Sequence, residues 1–190
     1  KRGSIGFFNF YIDGKVVNDE GEECKTDEVG ELWLKGPNVT PGYWHNEEAN
    51  AKSFEGDWFK TGDLVRMDEE GYIYVSGRKK EMYISGGENV YPREVEKVLQ
   101  EHKDVAEAAV IGVPDEKWGE SGAAYLVLKE GSQASDEDFR NHSLKFLAKF
   151  KIPKYFFTVD ALPVNSTGKI DKKNLLESFQ KSKITNYENE

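Results

Sequence analysis

The sequence predicts an α+β protein in which a β-rich subdomain is followed by a small α+β domain. In the first 78 residues, short aromatic and β-branched runs alternate with turns rich in Gly, Pro and Asp, a pattern typical of a β meander. After Gly77 and Arg78, helical apolar spacing alternates with strand-like runs, which predicts mixed helices and strands over 79–190. We therefore place the domain boundary after residue 78.

The elements of the first region are predicted from its apolar runs and the turns between them. Residues 7–12 are expected to form a strand that turns at Asp13 and Gly14 into a second strand at Val16 and Val17, because Asp-Gly between such runs is a strong hairpin signal. Alternating polar and apolar residues predict a half-buried strand at 31–34. We further expect a short helix over 47–53 and strands at 58–59, 64–67 and 72–75.

The second region opens with a helix signal. Pro92 is favoured at the first position of a helix, and Val95, Val98 and Leu99 then lie on one face. Strand-like runs follow at 105–113, 122–128 and 155–159.

Two more helices are expected towards the end of the chain. Ser135 precedes the first as in a capping box, with Asp138 where Glu is usual. The apolar residues assigned to that helix are Phe139, Phe146, Leu147 and Phe150. An amphipathic helix is predicted over 171–180, followed by a frayed polar tail at 183–190.

Composition excludes several classes of function. The 26 basic and 35 acidic residues give a net charge of −9, which argues against non-specific nucleic-acid binding because that binding depends on cations that displace phosphate counterions. No apolar run approaches the about 20 residues that cross a bilayer, and residues 1–6 lack the features of a signal peptide. Cys24 is the single cysteine, so no internal disulfide is expected, which fits a reducing cytoplasm. His45, His102 and His142 lack metal-ligand spacing, and no metal site is expected.

Several glycine-containing loops with adjacent charge could carry chemistry. In the run 60–63, Asp63 either belongs to a plain turn or presents a carboxylate to the vicinal hydroxyls of a ribose. The charged run 77–81 is either a solvated linker or a hinge that absorbs a rotation between domains. Gly86 and Gly87 either make a tight turn into the next helix or let a ligand approach the backbone closely. Lys169 follows a glycine without the spacing of a phosphate-binding loop, so it is either solvated or a mobile cation delivered into a site elsewhere.

Taken in order, these motifs resemble the carboxy-terminal part of the adenylate-forming superfamily, which includes acyl-CoA synthetases, peptide-synthetase adenylation domains and beetle luciferases. The resemblance runs through 30–33, 42–44, 58–64, 77–96, 152–154, 162–163 and 168–169, and so covers nearly the whole chain. The stretch 84–92 looks most like acyl-CoA ligases of the fatty-acid and succinylbenzoate type. The resemblance implies that residues 1–78 close the large domain, that 79–190 form its lid, and that the amino-terminal large domain with its phosphate loop is missing.

The resemblance also implies a reaction and its participants. A carboxylic acid attacks ATP with Mg²⁺ to give an acyl-adenylate and pyrophosphate, and coenzyme A then takes the acyl group and releases AMP. A fatty acid is the expected substrate, with a cytoplasmic location, peripheral to a membrane if the acid has a long chain. The fragment alone is expected to be inactive. Two alternatives are an adenylation domain that loads a carrier-protein pantetheine and a non-catalytic module that binds a nucleotide or a partner.

Six residues receive roles from the resemblance. Asp63 matches the carboxylate that holds the ribose hydroxyls, and Arg78 matches an arginine that contacts the nucleotide. Lys80 falls at the hinge between the domains. The remaining matches lie in the lid: Gly86 and Gly87 in the loop that lines the coenzyme A tunnel, and Lys169 as the lysine that bridges substrate carboxylate and nucleotide during adenylation.

Overall fold

Two units make up the chain in the computed structural model, Lys1–Lys80 and a second unit that begins at Glu81. The structure describes residues 1–187, with side chains described through residue 181. Both units combine helices with sheet, which confirms the predicted α+β class. The assignment of the two parts to the end of a large domain and to its lid stays a prediction.

The first unit is built on an antiparallel five-stranded sheet. Its strands are β1 (Asp13–Val17), β2 (Gly30–Lys35), β3 (Phe54–Glu55), β4 (Trp58–Met67) and β5 (Ile73–Arg78), in the order β1-β2-β4-β3 with β5 beside β4. Helix α1 spans Glu47–Ser53 as predicted, with the Asn46 side chain accepting a hydrogen bond from the Ala49 N–H. Val16, Leu32, Val65 and Ile73 form the core under the sheet.

The predicted strand at 7–12 is wrong. The side chain of Asn9 accepts from the N–H of Tyr11, and the Asn9 carbonyl accepts from the N–H of Ile12, so the chain turns there. Phe10 is 94% exposed and Tyr11 73%, so apolar character does not indicate burial in this segment. The Asp-Gly pair that predicted a hairpin turn lies inside β1, where it pairs with β2.

The second unit contains a mixed sheet and three helices. The elements are β6 (Tyr83–Ser85), β7 (Glu88–Val90), α2 (Pro92–Gln100), β8 (Val105–Asp115), β9 (Gly119–Leu128), α3 (Asp136–Ser143), β10 (Tyr155–Thr158) and α4 (Lys172–Tyr187). The strand order is β10-β9-β6-β7, with β8 beside β9. Strand β10 runs parallel to β9, and the other pairs are antiparallel.

The β8–β9 hairpin lies between two apolar cores. Ala108, Val110, Ala124 and Leu126 belong to one core, where they pack with residues of α2 and α3. Their neighbours in sequence, Ala109, Ile111, Ala123 and Tyr125, belong to the other core, which α4 completes. Alternation along the strands places successive side chains on opposite faces, so both faces of this hairpin are buried.

Helix boundaries in the second unit differ from the prediction at two places. The capping box forms, with the Asp138 carboxylate accepting from the Ser135 N–H, but α3 ends at Ser143. Phe146 and Phe150 therefore lie beyond it and are exposed. Helix α4 continues to Tyr187, past the predicted end; of the predicted polar tail, residues 188–190 lie outside the described residues. Within the described part of the chain, no helix is long and apolar enough to cross a membrane.

Candidate functional site

Asp63 and Arg78 face each other on the neighbouring strands β4 and β5. The Arg78 Nε lies 2.8 Å from Asp63 Oδ1, and Arg78 Nη1 donates to the Thr61 carbonyl at 3.0 Å. Half of the arginine side chain and a third of the aspartate side chain remain exposed. A carboxylate has about four acceptor sites, so Asp63 keeps capacity for hydroxyl donors while the guanidinium fixes its orientation.

The backbone before Asp63 is held by its neighbours. Gly62 adopts φ +71° inside β4, a left-handed conformation that favours glycine, and its N–H donates to the Glu31 carboxylate at 3.0 Å. The Thr61 hydroxyl donates to the Leu32 carbonyl at 2.8 Å and accepts from the Asp63 N–H at 3.0 Å. Residues 60–63 thus form an irregular stretch within one strand, between the two short strands that were predicted separately.

Lys80 is exposed and is the last residue of the first unit. Its neighbours are anchored on either side. Lys79 Nζ lies 2.8 Å from Asp19 and 3.4 Å from Glu31, and the hydrogen bond that it donates to Asp19 raises the pKa of Lys79. Glu81 pairs with Lys172 of the second unit at 2.8 Å. A backbone rotation at Lys80 would leave these three ion pairs intact, because each pair lies within one unit.

The two glycines of the 85–89 loop have different surroundings. Gly86 has φ +62°, its N–H donates to the Trp118 carbonyl at 2.9 Å, and an added Cβ would stand 2.9 Å from Cε3 of the indole. Gly87 has φ +89°, and an added Cβ would meet no atom within 4 Å. One glycine is therefore required by packing, whereas the other faces open space.

Lys169 ends a turn that is organised by Asn165. The Asn165 side-chain oxygen accepts from the Thr167 N–H at 2.9 Å, the Thr167 hydroxyl at 2.7 Å and the Lys169 N–H at 3.1 Å. Gly168 supplies the positive φ of +77° that the turn needs. Lys169 is exposed, and no described carboxylate of its own unit forms a salt bridge with it. The turn therefore displays a cation to solvent on a short, internally hydrogen-bonded loop.

The structure brings together only some of the predicted site residues. Asp63 and Arg78 form a direct pair in the first unit, whereas Gly86, Gly87 and Lys169 lie on separate turns of the second. Sequence reasoning missed Glu31 and Trp118, which hold the Gly62 and Gly86 backbones. The indole of Trp118 gives no signal of that contact in the sequence, because the contact joins two distant parts of the chain.

Comparison with protein families gives two matches. The model described as "AMP-binding enzyme" matches residues 1–44, and the model described as "AMP-binding enzyme C-terminal domain" matches residues 94–169. Lys169 is the last residue of the second match, and the other five predicted site residues fall between the two.

Similar proteins include acid–CoA ligases. The chain is 46% identical to 2-succinylbenzoate–CoA ligase of Bacillus velezensis over 93% of its length, and it spans 36% of that relative. It is similar to the o-succinylbenzoate CoA synthetase of Bacillus subtilis in complex with its acyl-adenylate intermediate, with 45% identity and a TM-score of 0.86 over 92% of this chain and 36% of that one. The same synthetase with ATP and a magnesium ion matches with 44% identity and a TM-score of 0.84, over 93% of this chain and 36% of that one.

Proposed function

The chain belongs to the AMP-binding, adenylate-forming enzymes, and from this premise we propose that it supplies the carboxy-terminal part of an AMP-forming acid–CoA ligase. The supporting observation is its similarity, over 92% of its length, to a synthetase that holds an acyl-adenylate. Because the chain spans about 36% of the length of the curated relatives it matches, the activity of the whole enzyme is part of the proposal. The reaction joins an acid to ATP, releases pyrophosphate, and then transfers the acyl group to coenzyme A.

In this proposal Asp63 and Arg78 bind the nucleotide. The Asp63 carboxylate accepts hydrogen bonds from the two ribose hydroxyls, and the Arg78 guanidinium supplies positive charge beside it. Their 2.8 Å contact orients the carboxylate before the nucleotide arrives. A preorganised acceptor loses little freedom on binding, which favours affinity.

Lys169 serves the first half-reaction. Adenylation brings an anionic carboxylate onto an anionic phosphate, so a cation between them stabilises the transition state. The exposed position of Lys169 on its turn leaves the amine free to enter a site outside its own unit. Its ammonium would contact both the acid and the nucleotide.

Gly86 and Gly87 serve the second half-reaction. The thiol of coenzyme A must reach the acyl-adenylate along a narrow path, and the open space at Gly87 lets that path run against the backbone. Turning the second unit about Lys80 would withdraw Lys169 and present the glycine loop instead. One small domain would thus serve two reactions with two faces.

Lys80→Pro tests the hinge. Proline fixes φ, so the variant should hold the lid in one state and slow thioester formation while adenylation continues. Lys80→Ala removes the same charge without fixing φ, and both steps should keep nearly the rates of the unsubstituted enzyme. Equal rates for the Pro and Ala variants would contradict the hinge role.

The acid we propose is of the 2-succinylbenzoate type, after the relatives. The expectation of a fatty acid receives no support from these relatives. ATP and Mg²⁺ are bound by the Bacillus subtilis synthetase. In the described residues, no group of three or more His, Cys, Asp and Glu side chains could hold a metal ion. We therefore assign Mg²⁺ no ligand in this chain and derive no step through it.

A chimera tests the proposal directly. This chain would replace the corresponding part of the Bacillus subtilis synthetase, and pyrophosphate release and thioester formation would be measured with ATP, 2-succinylbenzoate and coenzyme A. Both steps should proceed, whereas the isolated chain should release no pyrophosphate above background, since it lacks the phosphate loop. Asp63→Asn in the chimera should raise the KM for ATP, with the exposed Asp57→Asn as the matched control.

Other outcomes would favour the alternatives. Transfer only to a carrier-protein pantetheine would indicate an adenylation domain of that type. Nucleotide binding with no turnover in the chimera would indicate a non-catalytic module. The acid itself is tested in the full-length enzyme that contains this chain, with 2-succinylbenzoate against hexadecanoate as competing substrates.

A further inference from the structure

Asp115 is a buried carboxylate at the end of β8. Its side chain is 1% exposed. Oδ1 accepts from the backbone N–H groups of Lys117 at 3.0 Å and Trp118 at 3.1 Å, and Oδ2 accepts from Lys154 Nζ at 2.6 Å. The lysine hydrogen bond lowers the pKa of Asp115 and raises that of Lys154. A buried charge persists where it is paired and hydrogen-bonded, as this one is.

Asp115 fixes the β8–β9 turn, and this turn contacts the glycine loop. Trp118, fixed through its N–H, accepts from the Gly86 N–H through its carbonyl and lays its ring where a Gly86 side chain would stand. The next residue, Gly119, pairs with Ser85 across the sheet. A second contact on the same edge comes from Glu120, whose carboxylate accepts from the Ile84 N–H at 2.8 Å.

The glycine loop closes the short hairpin of β6 and β7, in which Ser85 pairs with Glu88, and it contacts the rest of the unit through Trp118. Gly86 and Gly87 both have positive φ, and neither has a side chain with which to pack. Backbone of this kind is conformationally permissive, so its position depends on the elements beside it. In this unit the described contacts to Gly86 come from Trp118.

We propose that Asp115 and Lys154 are positioning residues for the thioester-forming step, acting through Trp118 on the Gly86–Gly87 loop. The link to that step rests on the function proposed above; the link from Asp115 to the loop rests on the hydrogen bonds alone. Lys154 is also fixed by its backbone, whose N–H donates to the Gly122 carbonyl at 2.9 Å. The pair therefore joins the start of β10, the β8–β9 turn and the glycine loop.

Amide exchange of the full chain tests the structural link without any catalysis. Asp115→Asn keeps the shape of the side chain and removes its charge. The Gly86 N–H should then exchange at least about tenfold faster, because local opening becomes easier. Glu94→Gln is the matched control, since it removes the charge from the Lys151–Glu94 pair of the same unit. Unchanged Gly86 exchange in Asp115→Asn, or an equal change in Glu94→Gln, would overturn the proposal.

The two half-reactions of the chimera test the functional link. A displaced loop should raise the KM for coenzyme A and slow thioester formation about ten- to a hundredfold, while adenylation keeps its rate. Lys154→Met should also raise the KM for coenzyme A and slow thioester formation. Lys154→Arg keeps the charge, so it should lose much less of the thioester-forming rate than Lys154→Met. Equal slowing of both half-reactions in Asp115→Asn would mean that the pair only stabilises the fold, and would overturn the proposal.

The two tests fail in different ways. If the unsubstituted chimera performs neither half-reaction, the proposed function fails and the functional link fails with it. The exchange result would still stand, because it is measured on the chain alone.

Discussion

The two turns of the second unit that carry predicted site residues are held in opposite ways. The Lys169 turn is organised from within, by a single Asn165 oxygen that accepts three hydrogen bonds. The Gly86–Gly87 loop closes the β6–β7 hairpin and is held against its neighbours from outside, by Trp118 and, through it, by Asp115. A turn that is held by its own hydrogen bonds keeps its shape whatever the orientation of the domain, and it can present its side chain in each orientation. An externally held loop keeps its shape only while its neighbours keep theirs.

The largest expected effect tests the Lys169 turn. In the chimera, Lys169→Ala should slow adenylation by about 10²–10³, the usual cost of removing one charge-stabilising group. Thioester formation from supplied acyl-adenylate should keep nearly the rate of the unsubstituted chimera, because in the proposed mechanism the lysine has left the site before that step. Lys173→Ala, which removes an exposed lysine from α4, is the control. Equal slowing of both steps would mean that Lys169 has no role specific to adenylation.

The next effect tests the open side of the glycine loop. Gly87→Leu should slow thioester formation about 10²-fold, since a branched side chain would obstruct the coenzyme A path, and adenylation should continue. Gly87→Ala shares the strain of φ +89° but adds little bulk, so it separates strain from obstruction. If the two variants lose the same activity, obstruction is the wrong explanation.

A smaller effect tests whether the Lys169 turn is held locally. Asn165→Ala removes the acceptor of three hydrogen bonds without changing charge. The rate of adenylation should fall about tenfold, because the turn no longer fixes the backbone of Lys169. Exchange of the Gly86 N–H should not change. Asn141→Ala, whose side chain bonds only to Glu137 on the exposed face of α3, is the control. Faster Gly86 exchange in Asn165→Ala would show that the two turns are coupled.

The smallest effect is the acid dependence of the Asp115 contact. The Lys154 hydrogen bond holds the Asp115 pKa below its ordinary value of 3.8, so its stabilisation is present above that value and is lost as the pH falls towards the folded-state pKa. The free energies of unfolding of the chain and of Asp115→Asn should therefore differ by a constant amount well above pH 3.8, and the difference should shrink as the pH falls below 3.8. Urea titrations at several pH values measure this, and a difference that stayed constant below pH 3.8 would contradict it.

Sequence reasoning succeeded where the determinants are local. The helix over Glu47–Ser53, the Pro92 start of α2 and the Ser135 cap of α3 depend on residues within one turn, and the structure confirms each. The predicted strand at 7–12 is wrong because aromatic residues in this segment are exposed, and hydrogen bonds to Asn9 turn the chain there. The assignment of Phe146 and Phe150 to the apolar face of α3 is wrong for the same reason, because both side chains are exposed.

Predictions that depend on distant contacts were incomplete. Asp63 and Arg78 were assigned nucleotide roles by resemblance, but only the strand register places them opposite each other. Strands β6 and β7 are three residues each, too short for a periodic pattern to indicate. The sequence does not indicate the roles of Trp118 and Asp115 either, because their partners lie far along the chain.

The position of the β8–β9 hairpin between two cores determines how the second unit comes apart. Adjacent residues of β9 belong to opposite cores, so separating this hairpin exposes both cores at once. The hairpin therefore links the two cores, because the same two strands supply side chains to both. Both turns belong to this unit, so in the proposed rotation about Lys80 they would move together.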